Sequence, residues 1–148
     1  MSRLTLHHVE RMSSAPEIMK FARRINKIFL KEGKTDMKHL DSEYEAVYMR
    51  DVETDVIAAI IVFGLIDDED RRHRTYYVPI VFVSPKYRGQ KCYPTMLDWL
   101  LVYAKAKGAA TVETDVMSWN TRMVEVCMEH WEQTYLRFKI RLSQKESS

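Results

Sequence analysis

The sequence predicts an α/β fold with a mixed central sheet, in the order β-α-β-β-β-α-β-α-β, with helices on both faces. Three observations carry this. Three segments place apolar residues at helical spacing, with turn or cap residues at their starts. Short runs rich in Val, Ile and alternating polar residues lie around them. After the first helix, strands follow one another through short connections, whereas later strands are separated by helices. The sheet is therefore expected to be antiparallel in its first half, with helical crossovers in its second.

Each element has its own signal. Leu4 to Val9 alternates weakly and reads as a first strand. Ser14 offers a cap, Pro16 suits a first helical turn, and Glu17 stands three after Ser14 as in a capping box. Ile18, Phe21, Ala22, Ile25, Ile28 and Phe29 continue at helical spacing, and Gly33 offers the stop. Asp36 to Leu40 reads as a short additional helical turn. Glu45 to Val52 alternates, Glu53-Thr54-Asp55 makes a turn, and Val56 to Ile66 is a nearly continuous apolar run. Such a run suits a strand covered on both faces. Asp67 to Arg72 is wholly charged and reads as an exposed loop.

Tyr76 to Val83 is the next strand. Pro79 lies inside it and cannot donate to a ladder, so a bulge or an unpaired edge is expected there. A turn from Ser84 to Tyr93 leads into a helix with Pro94 in its first turn and Met96, Leu97, Leu100, Leu101 and Ala104 as its buried stripe. Gly108 ends it. Thr111 to Met117 is a strand, and Asn120 opens a third helix carrying Met123, Val126, Cys127 and Trp131. Tyr135 to Leu142 alternates as a single terminal strand with one wet face. Residues 1–142 read as one domain and 143–148 as a polar tail.

Composition narrows the function classes. The chain has 148 residues, of which 46% are apolar and 30% charged, within the range of globular domains. Its 23 basic and 21 acidic residues nearly balance, which argues against a dedicated nucleic-acid binder. A patch of Lys86, Arg88, Lys91 and the outward Arg137, Lys139 and Arg141 would be the weaker case for such contact. The two cysteines make no disulfide framework, and no zinc spacing occurs. No apolar run reaches the ~20 residues of a membrane span. The N-terminus, MSRLTLHHVERM, lacks a signal-peptide apolar core, so the default expectation is a cytoplasmic protein.

The chemistry concentrates in Val81 to Gly108. A strand ends, a tight basic turn follows, and a long helix begins. Free amides at that helix start, together with Lys86, Arg88 and Lys91, make a cradle for phosphate or pyrophosphate.

Here the sequence resembles the GNAT acetyltransferase superfamily, whose members carry a strand, then V-x-P-x-Y-R-G-x-G-x-G/A, then a helix. Val83, Pro85, Tyr87, Arg88 and Gly89 stand in step, as do Leu97-Asp98-Trp99-Leu100-Leu101 and the Ala104 to Gly108 ending. The resemblance implies a GNAT-like single domain binding acetyl-CoA as cosubstrate through Phe82, Val83, Arg88, Gly89, Gln90, Lys91, Cys92, Tyr93 and Asn120. It implies an amine acceptor, either a small molecule or a protein, and is compatible with a homodimer. Transfer needs a base to take the amine proton. Tyr77, Glu113 and Asp115 are base candidates on the strands flanking the expected cleft. A strand amide next to Val83 would polarise the thioester carbonyl.

The departures define a second reading. Lys91 and Tyr93 stand where glycine, or glycine and alanine, are expected, and the Tyr93 ring could fill the cofactor's space. Pro94 removes an amide donor. The helical position of the family's acidic Tyr falls on Cys127. With room for one terminal strand where many members have two, these features suit a catalytically degenerate binding or assembly protein. Plainer roles also stand beside the functional ones. The basic turn would be ordinary solvated surface, and Glu113 and Asp115 a wet strand face. Cys92 and Cys127 would be buried small hydrophobes, and His7 and His8 would face solvent at a strand edge.

Overall fold

The computed structural model describes residues 3–66, 74–115, 132–134 and 137–142. β1 (Leu4–Val9), β2 (Glu45–Asp51), β3 (Val56–Ile66) and β4 (Arg74–Val83) form an antiparallel run, with α1 (Pro16–Lys31) between the first two. α2 (Cys92–Ala106) then crosses over, so that β5 (Ala109–Asp115) lies parallel to β4. β7 (Arg137–Arg141) pairs antiparallel with β5, and β6 (Glu132–Thr134) pairs antiparallel with β7. The sheet order is β1-β2-β3-β4-β5-β7-β6. The mixed α/β layout is the expected one. The expected single terminal strand is corrected to two, because a three-residue strand is too short to show alternation. The third helix from Asn120, the charged loop from Asp67 and the tail 143–148 fall outside the described residues.

Each helix covers one face of the sheet. Ile18, Met19, Ala22 and Ile25 of α1 pack with Ala46, Ile57, Ile60, Val62 and Ile80. Met96, Leu97, Leu100 and Ala104 of α2 pack with Val47, Ala59, Ile61, Phe63 and Val112. β3 contributes to both cores, which is why its sequence is a continuous apolar run rather than an alternating one. Each of the Val, Leu, Ile, Met and Phe side chains among these gains about 1.5–3 kcal/mol on full burial. Ile28, expected in the α1 stripe, is instead 47% exposed, and Met19 and Asn26 face inward.

Two local expectations are also corrected. Ser14 does not cap α1. Its hydroxyl donates to the Arg11 carbonyl at 2.8 Å inside a 3-10 turn, Met12–Ser14, and Ala15 is the cap residue. Glu17 in the first turn accepts from Arg50 Nη2 at 2.9 Å instead of closing a capping box. Asp36 to Leu40 forms no helical turn. That segment is pinned over α1, where Asn26 Nδ2 donates to the Met37 carbonyl at 3.1 Å and Leu40 is buried. The α1 end behaves as read: Lys34 N–H reaches Phe29 O at 2.8 Å and Gly33 N–H reaches Leu30 O at 3.2 Å.

His8 is not a solvent-facing edge residue. Its ring lies 4.8 Å from those of both Trp99 and Tyr103, and its Nε2 is 2.9 Å from Glu45 Oε1. The Tyr103 hydroxyl donates to the same oxygen at 2.6 Å, and burial, then that carboxylate, holds the Tyr103 phenol in its protonated form. The cluster ties the edge strand β1 to α2. His7 stacks on Tyr48 at 5.1 Å. Among the described residues no helix is long and apolar enough to cross a membrane.

The Pro79 expectation holds as a bulge. Val62 pairs with Ile80 but Gly64 pairs with Tyr77, so Phe63 opposes both Val78 and Pro79. The extra residue inverts the alternation of β4. Tyr76 and Val78 belong to the α2-side core, whereas beyond the bulge Ile80 belongs to the α1-side core. At Gly64 the α1 face is occupied by the Tyr44 ring, which a β-carbon there would strike. Gly64→Ala is therefore expected to lower stability by about 1–3 kcal/mol in urea unfolding. A loss below about 0.5 kcal/mol would show instead that the ring swings aside at little cost.

Candidate functional site

The bulge sets where β4 and β5 part. Their register runs from Arg74↔Ala109 to Tyr77↔Glu113, and the Val78 carbonyl then accepts the Thr114 hydroxyl at 2.8 Å. Beyond this point β4 stays on β3 while β5 turns to β7. The ladder between β4 and β5 ends here, and this parting of the two strands is the wedge, whose continuation past Asp115 lies outside the described residues. Ser84 N–H reaches Ala58 O at 2.9 Å, which makes that pair hydrogen-bonded. In an antiparallel ladder such pairs alternate. The intervening pairs, Val83↔Ala59 and Val81↔Ile61, thus turn the N–H and C=O of Val81 and Val83 away from β3 and into the wedge. Phe82 points the other way. Its ring sits 6.2 Å from Phe21 and 6.1 Å from Phe29, on α1.

The turn after β4 forms a 3-10 segment, Pro85–Tyr87, followed by Arg88 to Lys91. Gly89 has φ +86°, a left-handed conformation that a side chain would strain although nothing lies within 4 Å of its β-carbon position. Gln90 N–H donates to Tyr87 O at 3.3 Å. Lys91 is the cap of α2 and is also left-handed, at φ 61° and ψ 26°. The position where the family pattern has glycine is therefore one whose backbone suits glycine, and this chain places lysine there at some cost. The first helical bond is Thr95 N–H to Lys91 O at 3.1 Å, so the amides of the first turn face the basic turn. Pro94, in that turn, supplies none.

The side chains divide sharply. Lys86, Arg88, Gln90 and Lys91 are exposed, and Arg88 Nε donates to the Val83 carbonyl at 3.3 Å. Cys92 is buried at the start of α2, and burial pushes its thiol up, which suits a packed small hydrophobe and not a nucleophile. Tyr93 is half-buried and packs against the α2-side core.

Tyr77 and Glu113 are register partners on adjacent strands and share the sheet face opposite α2. Glu113 is 5% exposed, so the wet-face expectation for it is corrected. Gly64 is the β3 partner of Tyr77, which sets the Tyr44 ring beside this pair. Burial, then the Asp41 carboxylate, pushes the Tyr44 phenol up. Thr75 and Thr111, joined at 2.9 Å, lie next in the same row. Asp115 is the last residue of β5 and pairs with Arg137, whereas its side chain and Asn120 lie outside the described residues, as do Met123 and Cys127. Among the described residues no group of three or more His, Cys, Asp or Glu could hold a metal ion.

Two features were not visible in the sequence. One is Tyr44, whose place depends on the space above Gly64. The other is Asp51 at the end of β2, which is buried and accepts the Tyr87 hydroxyl at 2.7 Å through Oδ2 and Glu53 N–H at 3.0 Å through Oδ1. The Tyr87 bond holds the Asp51 carboxyl below the ordinary carboxylate range, against the opposing effect of burial.

A family model described as the Acetyltransferase (GNAT) family matches residues 15–130. Comparison with curated proteins gives no match. Among solved structures, an acetyltransferase of the GNAT family from Streptococcus pneumoniae superposes with a TM-score of 0.65 at 14% identity, over 95% of this chain and 100% of that one. An aminoglycoside acetyltransferase from an uncultured soil metagenomic sample, in complex with sisomicin, superposes with a TM-score of 0.66 at 11% identity, over 88% of this chain and 91% of that one.

Two measurements test this geometry. Lys91→Gly should relieve the left-handed strain and raise stability by about 1 kcal/mol, read as a higher thermal midpoint. An unchanged or lower midpoint would show that Lys91 makes compensating contacts. For Asp51 the folded pKa is depressed, so its contribution is complete above the unfolded value of ~3.9 and is lost as pH falls through the lower folded value. The urea-midpoint gap between the unaltered protein and Tyr87→Phe should thus be full at neutral pH and shrink below about pH 4. An equal gap at both ends would mean that the ionised carboxylate is not the acceptor.

Proposed function

Because the chain belongs to the GNAT acetyltransferase family, we propose that it transfers an acetyl group from acetyl-CoA to the amine of a small molecule by direct attack. The observation that carries this reading is the end of the β4–β5 ladder at Tyr77↔Glu113, on a strand that continues to Val83 and leads into a basic turn at the start of a helix. A thioester-bearing arm fits a cleft that offers strand amides, and a pyrophosphate fits a positive turn at a helix start. The residues suit that ligand. Arg88, Lys86 and Lys91 supply charge, and the backbone N–H groups of Gly89, Lys91 and Cys92 supply donors, that of Gln90 being taken by Tyr87. Tyr93 does not argue against it, since its ring is accounted for by packing on the core.

In the reaction the amine nitrogen bonds to the acetyl carbon and the carbon–sulfur bond breaks. The Val83 N–H, turned into the wedge, would donate to the carbonyl oxygen as it gains negative charge. Tyr77 and Glu113, paired at the closed end of the wedge, would take the proton that the amine gives up, with Asp115 as the third candidate. The departing thiolate has an ordinary pKa near ~8.5 and can leave with little help from an acid. The acceptor class is suggested by the sisomicin-bound neighbour, an aminoglycoside acetyltransferase. A row of Tyr44, Tyr77 and Glu113 across β3, β4 and β5, with the carboxylate at its end, suits a cationic amine.

The binding-protein alternative rested on Lys91, Tyr93, Cys127 and a missing terminal strand. The strand is present as β6, and Lys91 keeps the backbone conformation that glycine would adopt.

Calorimetric titration with CoA and with acetyl-CoA tests the reading. A micromolar Kd, about −8 kcal/mol, is expected, with at least tenfold weakening in Arg88→Ala. Glu113→Gln should leave acetyl-CoA binding intact and lower kcat by about a hundredfold or more with a polyamine or aminoglycoside acceptor. No binding at millimolar CoA would reject the transferase in favour of the binding protein.

A further inference from the structure

We infer that Asp51 is the positioning residue of the basic turn: its carboxylate, acting through Tyr87, holds Ser84 to Lys91 in the shape that receives CoA. The inference rests on the function proposed above and extends it to a residue on a different hairpin. Within Ser84 to Lys91, Tyr87 alone is buried, so beyond the Ser84 N–H bond to Ala58 O the turn has one buried side chain to hold it. That anchor organises what surrounds it. Tyr87 N–H reaches Ser84 O at 2.9 Å, and Tyr87 O receives Gln90 N–H at 3.3 Å and lies 3.9 Å from Cys92 Sγ. Gln90, on the far flank of Gly89, and Cys92, the first residue of α2, thus both lie against the Tyr87 carbonyl.

What fixes Tyr87 in turn lies on the β2–β3 connection. Its hydroxyl donates to Asp51 Oδ2 at 2.7 Å and lies 3.4 Å from Thr54 Oγ1. Asp51 is itself held, since Oδ1 accepts Glu53 N–H and its carbonyl accepts Asp55 N–H at 2.7 Å. Its side chain is 2% exposed, and a carboxylate is seldom buried without a task that repays its lost hydration. Asp51 does not touch the ligand in this scheme. It acts on the ligand through the turn.

The test is a double-mutant cycle on the full chain, with Asp51→Asn, Tyr87→Phe and the double variant. CoA Kd is measured by calorimetry well below each thermal midpoint, with far-ultraviolet circular dichroism confirming that each variant is folded. Each single variant is expected to raise Kd about tenfold and the double variant no further. KM for acetyl-CoA should rise in step while kcat at saturation stays within twofold. In the ligand-free variants, amide exchange of Arg88 and Gln90 should quicken several-fold while that of β3 is unchanged. A purely structural role would lower the midpoint yet leave Kd within twofold, and that result overturns the inference, as do multiplicative effects in the double variant. The two hypotheses fail separately. If the unaltered protein binds no CoA, the proposed function falls and the ligand-positioning role falls with it, whereas CoA binding that Asp51→Asn leaves unchanged overturns this inference alone.

Discussion

β4 cannot satisfy two neighbours along its whole length, and the rest of the structure follows from how it fails. It keeps β3 from Thr75 to Val83 but keeps β5 only to Tyr77. Pro79 lies just beyond that point and has no N–H to offer. The Thr114 hydroxyl takes the Val78 carbonyl where the ladder to β5 stops, so the parting leaves no orphaned acceptor there. The bulge then inverts the alternation of β4. Without that inversion Ile80 and Phe82 would face α2, and the α1 helix would lose the partners of Phe21 and Phe29. One extra residue thus opens the wedge and sends the strand's end to the correct helix.

The two cores constrain the same region from opposite sides. β3 is buried on both faces and fixes the plane of the sheet, so β4 has little freedom to close onto β5. On the α2 side the aromatic cluster of Phe63, Tyr76, Trp99 and Tyr103 packs around the Glu45 carboxylate and locks the helix against β1 and β2. A held α2 matters for the proposed site, because a helix start is a fixed set of amide donors only if its axis is held. The wedge and the helix start are thus held by packing that touches neither.

How much of this could be read from the sequence differs by feature. The Val56 to Ile66 run announced its own burial on both faces, and Pro79 announced the bulge, because each signal is local. The V-x-P-x-Y-R-G stretch placed the turn for the same reason. The failures have a different origin. Ser14 looked like a cap because spacing alone cannot show that its hydroxyl is already engaged by Arg11. β6 spans three residues, too few for an alternating pattern to stand out. His8 and Glu113 looked wet because their covering groups come from distant parts of the chain, as with Trp99 and Tyr103 over His8. Tyr77 and Glu113 stand far apart in the sequence on separate strands, and only the β4–β5 register makes them neighbours.

The departures from the glycine pattern read differently once the backbone is known. Glycine can be needed for space or for conformation, and these are separate demands. At Lys91 the demand is conformational, since the residue holds φ 61°, and a non-glycine residue can meet it at the cost of about 1–2 kcal/mol. That cost is small beside what the two cores supply, and lysine adds a positive charge where an anion would sit. Gly89 keeps its glycine at φ +86° with open space around it, which again points to conformation. At Tyr93 the demand is for space, and the half-buried residue packs against the α2-side core. A motif that looks degraded as letters therefore keeps left-handed backbone at both Gly89 and Lys91, with charge in place of one of its glycines.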